Sequence, residues 1–109
     1  MPNIYKNAKK DLTTTSVTTL YAAPALTTAI VKSILVSEDS GNADTITVTI
    51  TDAEASPAVF SLFKTKSISA NGTTELLTSP IVVQTGEILK VTAATANRLH
   101  VVASILEVS

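Results

Sequence analysis

The first residue that could do chemistry is His100, the single histidine of the chain. It lies in RLHVVASILEV, residues 98–108, with Ser104 and Glu107 close by. In an extended strand His100 shares a face with Arg98 and Ser104, while Glu107 points to the other side. Nucleophile, base and orienting acid therefore do not converge, and no G-x-S-x-G elbow is present. One histidine without any cysteine cannot supply a typical zinc ligand set. His100 reads as an exposed strand residue opposite an apolar row.

The acids give no more. Glu38, Asp39, Asp44, Asp52 and Glu54 sit in or beside two loops at opposite ends of one strand. Strand rise puts those loops roughly 20 Å apart, too far to share an ion or act as a carboxylate pair. Asp39 and Asp44 lack the ligand order of an EF-hand loop, so these side chains read as solvated turn acids. The three glycines are isolated and form no phosphate loop. Asn71-Gly72-Thr73 matches a glycosylation sequon but reads as a turn. The expectation is a non-enzymatic chain with no catalytic residue, cofactor or metal.

The elements that would carry such residues are strands. Thr45, Thr47, Thr49 and Thr51 alternate without a break with Ile46, Val48 and Ile50. β-branched residues on both faces fit a pleated surface and resist helix. Similar short runs cover Thr18 to Tyr21, Thr28 to Val36, Val59 to Lys64, Glu87 to Ala94 and residues 98–108. Between them lie turn signals at residues 37–44, around Pro57, at Asn71-Gly72 and at 84–87. Phe60 and Phe63 fall on opposite parities, and Pro80 forces a bend or an edge. No helix is expected. The pattern predicts an all-β fold, a single antiparallel β-sandwich of jelly-roll or Ig-like type with about seven to eight strands. Residues 1–15 read as a flexible N-terminal arm, with the sandwich over 16–109.

One strand is apolar on both parities: Val31 and Leu35 on one side, Ile30, Ile34 and Val36 on the other. Either a partner subunit or a covering loop accounts for a second buried face. The candidate interface is accordingly Ile30, Lys32, Ile34 and Val36, joined by Tyr5, Lys6, Lys9 and Lys10 of the arm.

Composition sets outer limits. Hydrophobic residues are 45% of the 109, enough for a core, while charged residues are only 16% against about 25% in ordinary domains. Thr, Ser and Asn must supply much of the polar surface, and apolar surface is expected to be hidden in contacts between subunits or in a crowded two-sided sheet. A net charge of −1 with scattered lysines argues against nucleic acid. No run reaches the ~18 apolar residues of a membrane helix, and no secretory leader is recognised. Four per cent aromatic residues and no Trp give a sugar site only Tyr5 and Tyr21 as thin support.

The segments TTLYAAPALTTAIVKSILVSEDSGNADTITVTITD and TTELLTSPIVVQTGEILKVTAATANRLHVVASILEVS together resemble small β-sandwich structural proteins of tailed bacteriophages, especially marine and cyanobacterial ones. A strand ending in a Y-x-x-P turn leads to TAIVKSI, a Thr-rich strand, a Gly turn before LKVTA, and a closing VVASILE. Pro24-Ala25-Leu26-Thr27 stands where such proteins often carry a Pro-Ala-Gly turn. The resemblance covers roughly residues 16–108. It implies a virion component without catalysis, most specifically a capsid decoration or cement protein. Such proteins sit as oligomers, often trimers, against the major capsid protein or other virion proteins, in a virion assembled in the host cytoplasm. Alternatives are a neck, tail or fibre position, or a glycan-binding sandwich module.

Overall fold

The computed structural model describes residues 3–52 and 58–108. They form nine strands and no helix: β1 (Asn3–Leu12), β2 (Thr18–Ala22), β3 (Thr28–Glu38), β4 (Asp44–Asp52), β5 (Ala58–Ile68), β6 (Thr73–Glu75), β7 (Ile81–Val83), β8 (Ile88–Ala93) and β9 (Leu99–Val108). One sheet runs β1-β9-β3-β6, with β7 also on β3; the other runs β2-β8-β4-β5. All pairings are antiparallel. If β6 and β7 count as one interrupted edge strand, this is the order of a jelly roll, so the Ig-like alternative falls away. The interruption, residues 76–80, drops Leu76 and Leu77 into the core before Pro80 restarts the strand.

The alternation of β4 works as its sequence predicts. Ile46 and Val48 are fully buried, and the Thr row on the opposite face is half-buried beside cross-strand neighbours such as Thr92 and Lys90. β9 is the central strand of its sheet. It presents Leu99, Val101, Ala103 and Ile105 to the core.

Three expectations change, and each change has a local cause. First, residues 3–12 are not an arm: β1 pairs residue by residue with β9 from Asn3↔Val108 to Leu12↔Leu99. Only Ala8 and Leu12 of β1 pack on the core, so backbone hydrogen bonding to the edge of β9, rather than an apolar stripe, makes this strand. Second, β3 does not have two apolar faces. A bulge between Val31 and Ser33 places Lys32 outside the ladder and reverses the alternation beyond it. Ala29 and Val31 point inward before the bulge; Ile34 and Val36 point inward after it, all fully buried. Ile34 and Val36 are thus core residues and cannot form an interface. Third, β5 carries two irregularities. Leu62 is the extra residue between Ser61↔Thr49 and Phe63↔Val48, so Phe60 and Phe63 both lie opposite inward-facing residues of β4 despite their odd spacing. Further on, Lys64 and Thr65 together oppose Thr47, with Thr65 at φ +48 and its N–H donating to Thr47 Oγ1 at 3.1 Å.

The β3 bulge separates two substitutions that look alike in sequence. Ile34→Lys is expected to cost about 4 kcal/mol or more, since it buries an unpaired charge. Ile30→Lys, on the outward face, is expected to cost under about 1 kcal/mol. Urea unfolding of the two variants checks this; equal losses would mean that β3 keeps regular alternation.

Candidate functional site

Buried acids dominate one end of the sandwich, where the loops 13–17, 39–43, 69–72 and 94–98 meet. Glu38, the last residue of β3, turns inward and is 3% exposed. Its carboxylate accepts from the backbone N–H groups of Ser40 (2.6 Å), Gly41 (2.9 Å) and Asn71 (2.9 Å), and from the Ser40 hydroxyl. Its own N–H donates to Gly72 O at 2.9 Å. One side chain therefore fixes two loops. Gly41, at φ +86, and Asn71, at φ +55, are residue types that tolerate the left-handed backbone this wrapping needs. Burial pushes the Glu38 carboxyl up, but the hydrogen bonds from Ser40, Asn71 and Gly41 outweigh it and hold the group at about 2.

Neighbouring contacts extend the latch. Thr95 N–H donates to Asp44 Oδ2 at 3.1 Å, Arg98 Nη1 to Ala43 O at 2.9 Å, and Asn97 N–H to Leu12 O at 2.9 Å. Glu38 and Asp44 are thus buried structural acceptors, not the solvated turn acids expected from sequence.

Two more carboxylates do internal work. Glu75 of β6 accepts from Ile34 N–H (2.8 Å), Leu77 N–H (3.1 Å) and the Ser33 hydroxyl. It takes up a backbone donor of β3 and one of the 76–80 interruption. Burial opposes ionisation there, and the hydrogen bonds from Ser33, Ile34 and Leu77 prevail and lower its pKa. Glu107 of β9 faces inward, accepts the Tyr21 hydroxyl and pairs with Lys6 at 3.4 Å. This contact joins β2 of one sheet to β1 and β9 of the other. Burial, then the Glu107 carboxylate, raises the Tyr21 pKa.

The candidate interface residues fall into three places. Tyr5, Lys6 and Lys32 line a groove of about 360 Å3 beside β1 and β9, shared with Asn7 and Ser104; Lys32 Nζ stands 5.9 Å from the Tyr5 ring centre. Lys9 and Lys10 line a second groove of about 330 Å3 with His100 and Asp11, which lie 3.3 Å apart. Ile30 is half-buried on the same outer face, whereas Ile34 and Val36 are inside. Among the described residues no group of three or more His, Asp or Glu is placed to hold a metal ion.

The opposite end, formed by the turns 23–27 and 84–87 and the strand tips beside them, has another character. Leu26 is 90% exposed and sits at φ +58, a conformation that costs a leucine about 1 kcal/mol or more. Val59 and Phe60 of β5 are 65% and 55% exposed. Among the described residues, seven of the ten exposed large apolar side chains lie in this turn or within three residues of this end of their strands, which makes it the apolar end. Sequence reasoning missed Leu26, Val59 and Phe60; a leucine standing in a turn was the signal available.

No family model matches the chain, and no curated relative matches it. Among solved structures the chain is similar to the N-terminal CBM22-1–GH10 modules of an endo-1,4-β-D-xylanase 10B from Clostridium thermocellum, complexed with xylohexaose. The TM-score is 0.48 at 10% identity, over 96% of this chain and 24% of that one. A likeness of that degree carries no functional argument.

The Glu38 latch has a pH signature. Its folded pKa lies below the ordinary value of 4.5, so its contribution is complete above that value and is lost as pH falls toward about 2. Glu38→Gln is expected to lower the melting temperature at pH 7 and to flatten the loss of stability that the wild-type protein shows between those pH values. Thermal melts from pH 2 to 7 check this; an unchanged acid limb would exclude Glu38 as its source.

Proposed function

We propose that the chain is a non-enzymatic structural component of a tailed-phage virion, a decoration protein that stabilises the head through oligomeric contacts with the major capsid protein. The sequence resemblance supplies the class. The observation that carries the reading is the division of the molecule between its ends: one is latched by buried acids, and the other gathers most of the exposed apolar side chains. A shell component works by permanent contact and stiffness. Permanent interfaces are apolar, and β-branched side chains lose little rotamer freedom when covered. The buried carboxylates Glu38 and Glu107, and the exposed Glu75, are committed to holding loops and sheets together, which fits a rigid subunit.

Purified virions of a phage encoding this chain provide the test. The expected outcome is a fixed stoichiometry with the major capsid protein, and heads lacking the chain that rupture at a lower temperature until recombinant protein is added back. Recovery in tails alone would move it to the neck, tail or fibre position. Absence from virions, with binding to a glycan array, would replace the reading with a sugar-binding module.

A further inference from the structure

We infer that the apolar end is a self-association surface whose occupant is a second copy of this chain, with Leu26, Val59 and Phe60 as its anchors. This rests on the proposed function only in requiring more than one copy.

The size of the exposed surface is the first argument. Leu26, Val59 and Phe60 are 90%, 65% and 55% exposed, and exposed apolar patches of ~300–600 Å2 on a protein surface are often functional. At ~4.8 Å between strands, the tips of a four-stranded sheet span about 15 Å, within the width of one such patch.

Charge is the second. Lys6 and Glu107 are paired with each other, Glu87 Oε1 accepts Gln84 N–H at 2.7 Å, and Asp52 is engaged within the chain. These groups are spent locally, so apolar contact dominates, as in homo-oligomers.

The third argument is the edge of β5. As the terminal strand of its sheet, β5 has no partner on its outer side among the described residues. Its second half is protected against pairing by the irregularities at Leu62 and Thr65 and by Lys64 and Lys66. The long free edge of β1 carries Lys6, Lys9 and Lys10. Ala58–Ser61 has none of these devices and runs into the apolar end. The same segment of a second copy, laid antiparallel, satisfies both edges at once, as an isologous contact requires. Such a pairing closes after two copies, rather than the three that the resemblance implies.

The strain at Leu26 agrees with this. A turn that glycine would fill without cost holds an exposed leucine, and an unfavourable backbone with an unburied apolar side chain is explained by a contact outside the monomer.

The test is size-exclusion chromatography with light scattering across a hundredfold dilution, joined to cysteine cross-linking. The wild type is expected to dimerise. Val59→Lys and Phe60→Lys should each weaken dimerisation by about tenfold or more. Leu26→Gly should weaken it while leaving the melting temperature of the monomer unchanged or raised, which a merely structural role would not produce. Because the chain has no cysteine, the double variant Ala58→Cys/Ser61→Cys, whose two positions lie opposite each other across the pairing, should form interchain disulfides, and Lys9→Cys on the β1 edge should not. An oligomer that survives Val59→Lys and Leu26→Gly unchanged overturns this inference and leaves the virion role standing. A wild-type monomer at every dilution, with no cross-link in the Ala58→Cys/Ser61→Cys variant, overturns it as well; binding to isolated heads then tests the virion role separately.

Discussion

A single extra residue in β3 sets the inside and outside of the molecule. Without the bulge at Lys32, alternation from Val31 would carry Leu35 into the core and leave Ile34 and Val36 outside. With it, four apolar residues of β3 line the core against β9's neighbours and the opposite sheet. On the other side of β3, where residues 76–80 interrupt the edge, the Glu75 carboxylate takes up Ile34 N–H while Leu76 N–H donates to Ile34 O at 2.9 Å. The short strand β6 and the entry of Leu76 and Leu77 into the core follow from that same contact. Burying each large apolar side chain contributes about 1.5–3 kcal/mol, so a register error in β3 would cost several such terms together.

Carboxylates are the second organising device. A chain with no cysteine has no disulfides to tie its loops. Glu38 does this work at one end by gathering three backbone N–H groups from two loops, and Glu107 does it between the sheets through Tyr21 and Lys6. Hydrogen bonds to a charged acceptor are stronger than those between neutral groups. The opposite end has the Tyr21–Glu107–Lys6 contact and lighter ones, such as Thr27 N–H to Thr85 Oγ1 at 3.0 Å and the reciprocal bond from that hydroxyl to Thr27 O at 2.7 Å. Stiffness at one end and exposed apolar surface at the other are two consequences of one distribution of polar residues.

Much of the fold could be read from the chain. The Thr/Ile alternation of β4, the apolar row of β9 and the turns at Gly41, Asn71-Gly72 and Gly86 obey local rules that tertiary packing does not overrule. What escaped depends on single residues without a periodic signature. Lys32-Ser33, two polar residues in succession inside an apolar run, is the only trace of the bulge. β1 has an inner face of Ile4, Lys6, Ala8, Lys10 and Leu12, in which hydrophobic periodicity does not register. The role of Glu38 depends on the 69–72 hairpin folding against it, over thirty residues away in sequence, and no local spacing announces that. Ile34 and Val36 fall inside for the same reason: counting in twos across a bulge exchanges the two faces.

Hydrogen–deuterium exchange at low and high protein concentration tests the division between the ends most directly. If the apolar end is covered by a second copy, amides of residues 23–27 and 58–61 gain protection as concentration rises. Those bound to Glu38, at Ser40, Gly41 and Asn71, stay equally protected throughout. Protection at 23–27 and 58–61 that does not change with concentration, or a Glu38 cluster that exchanges as fast as an open loop, would contradict that picture.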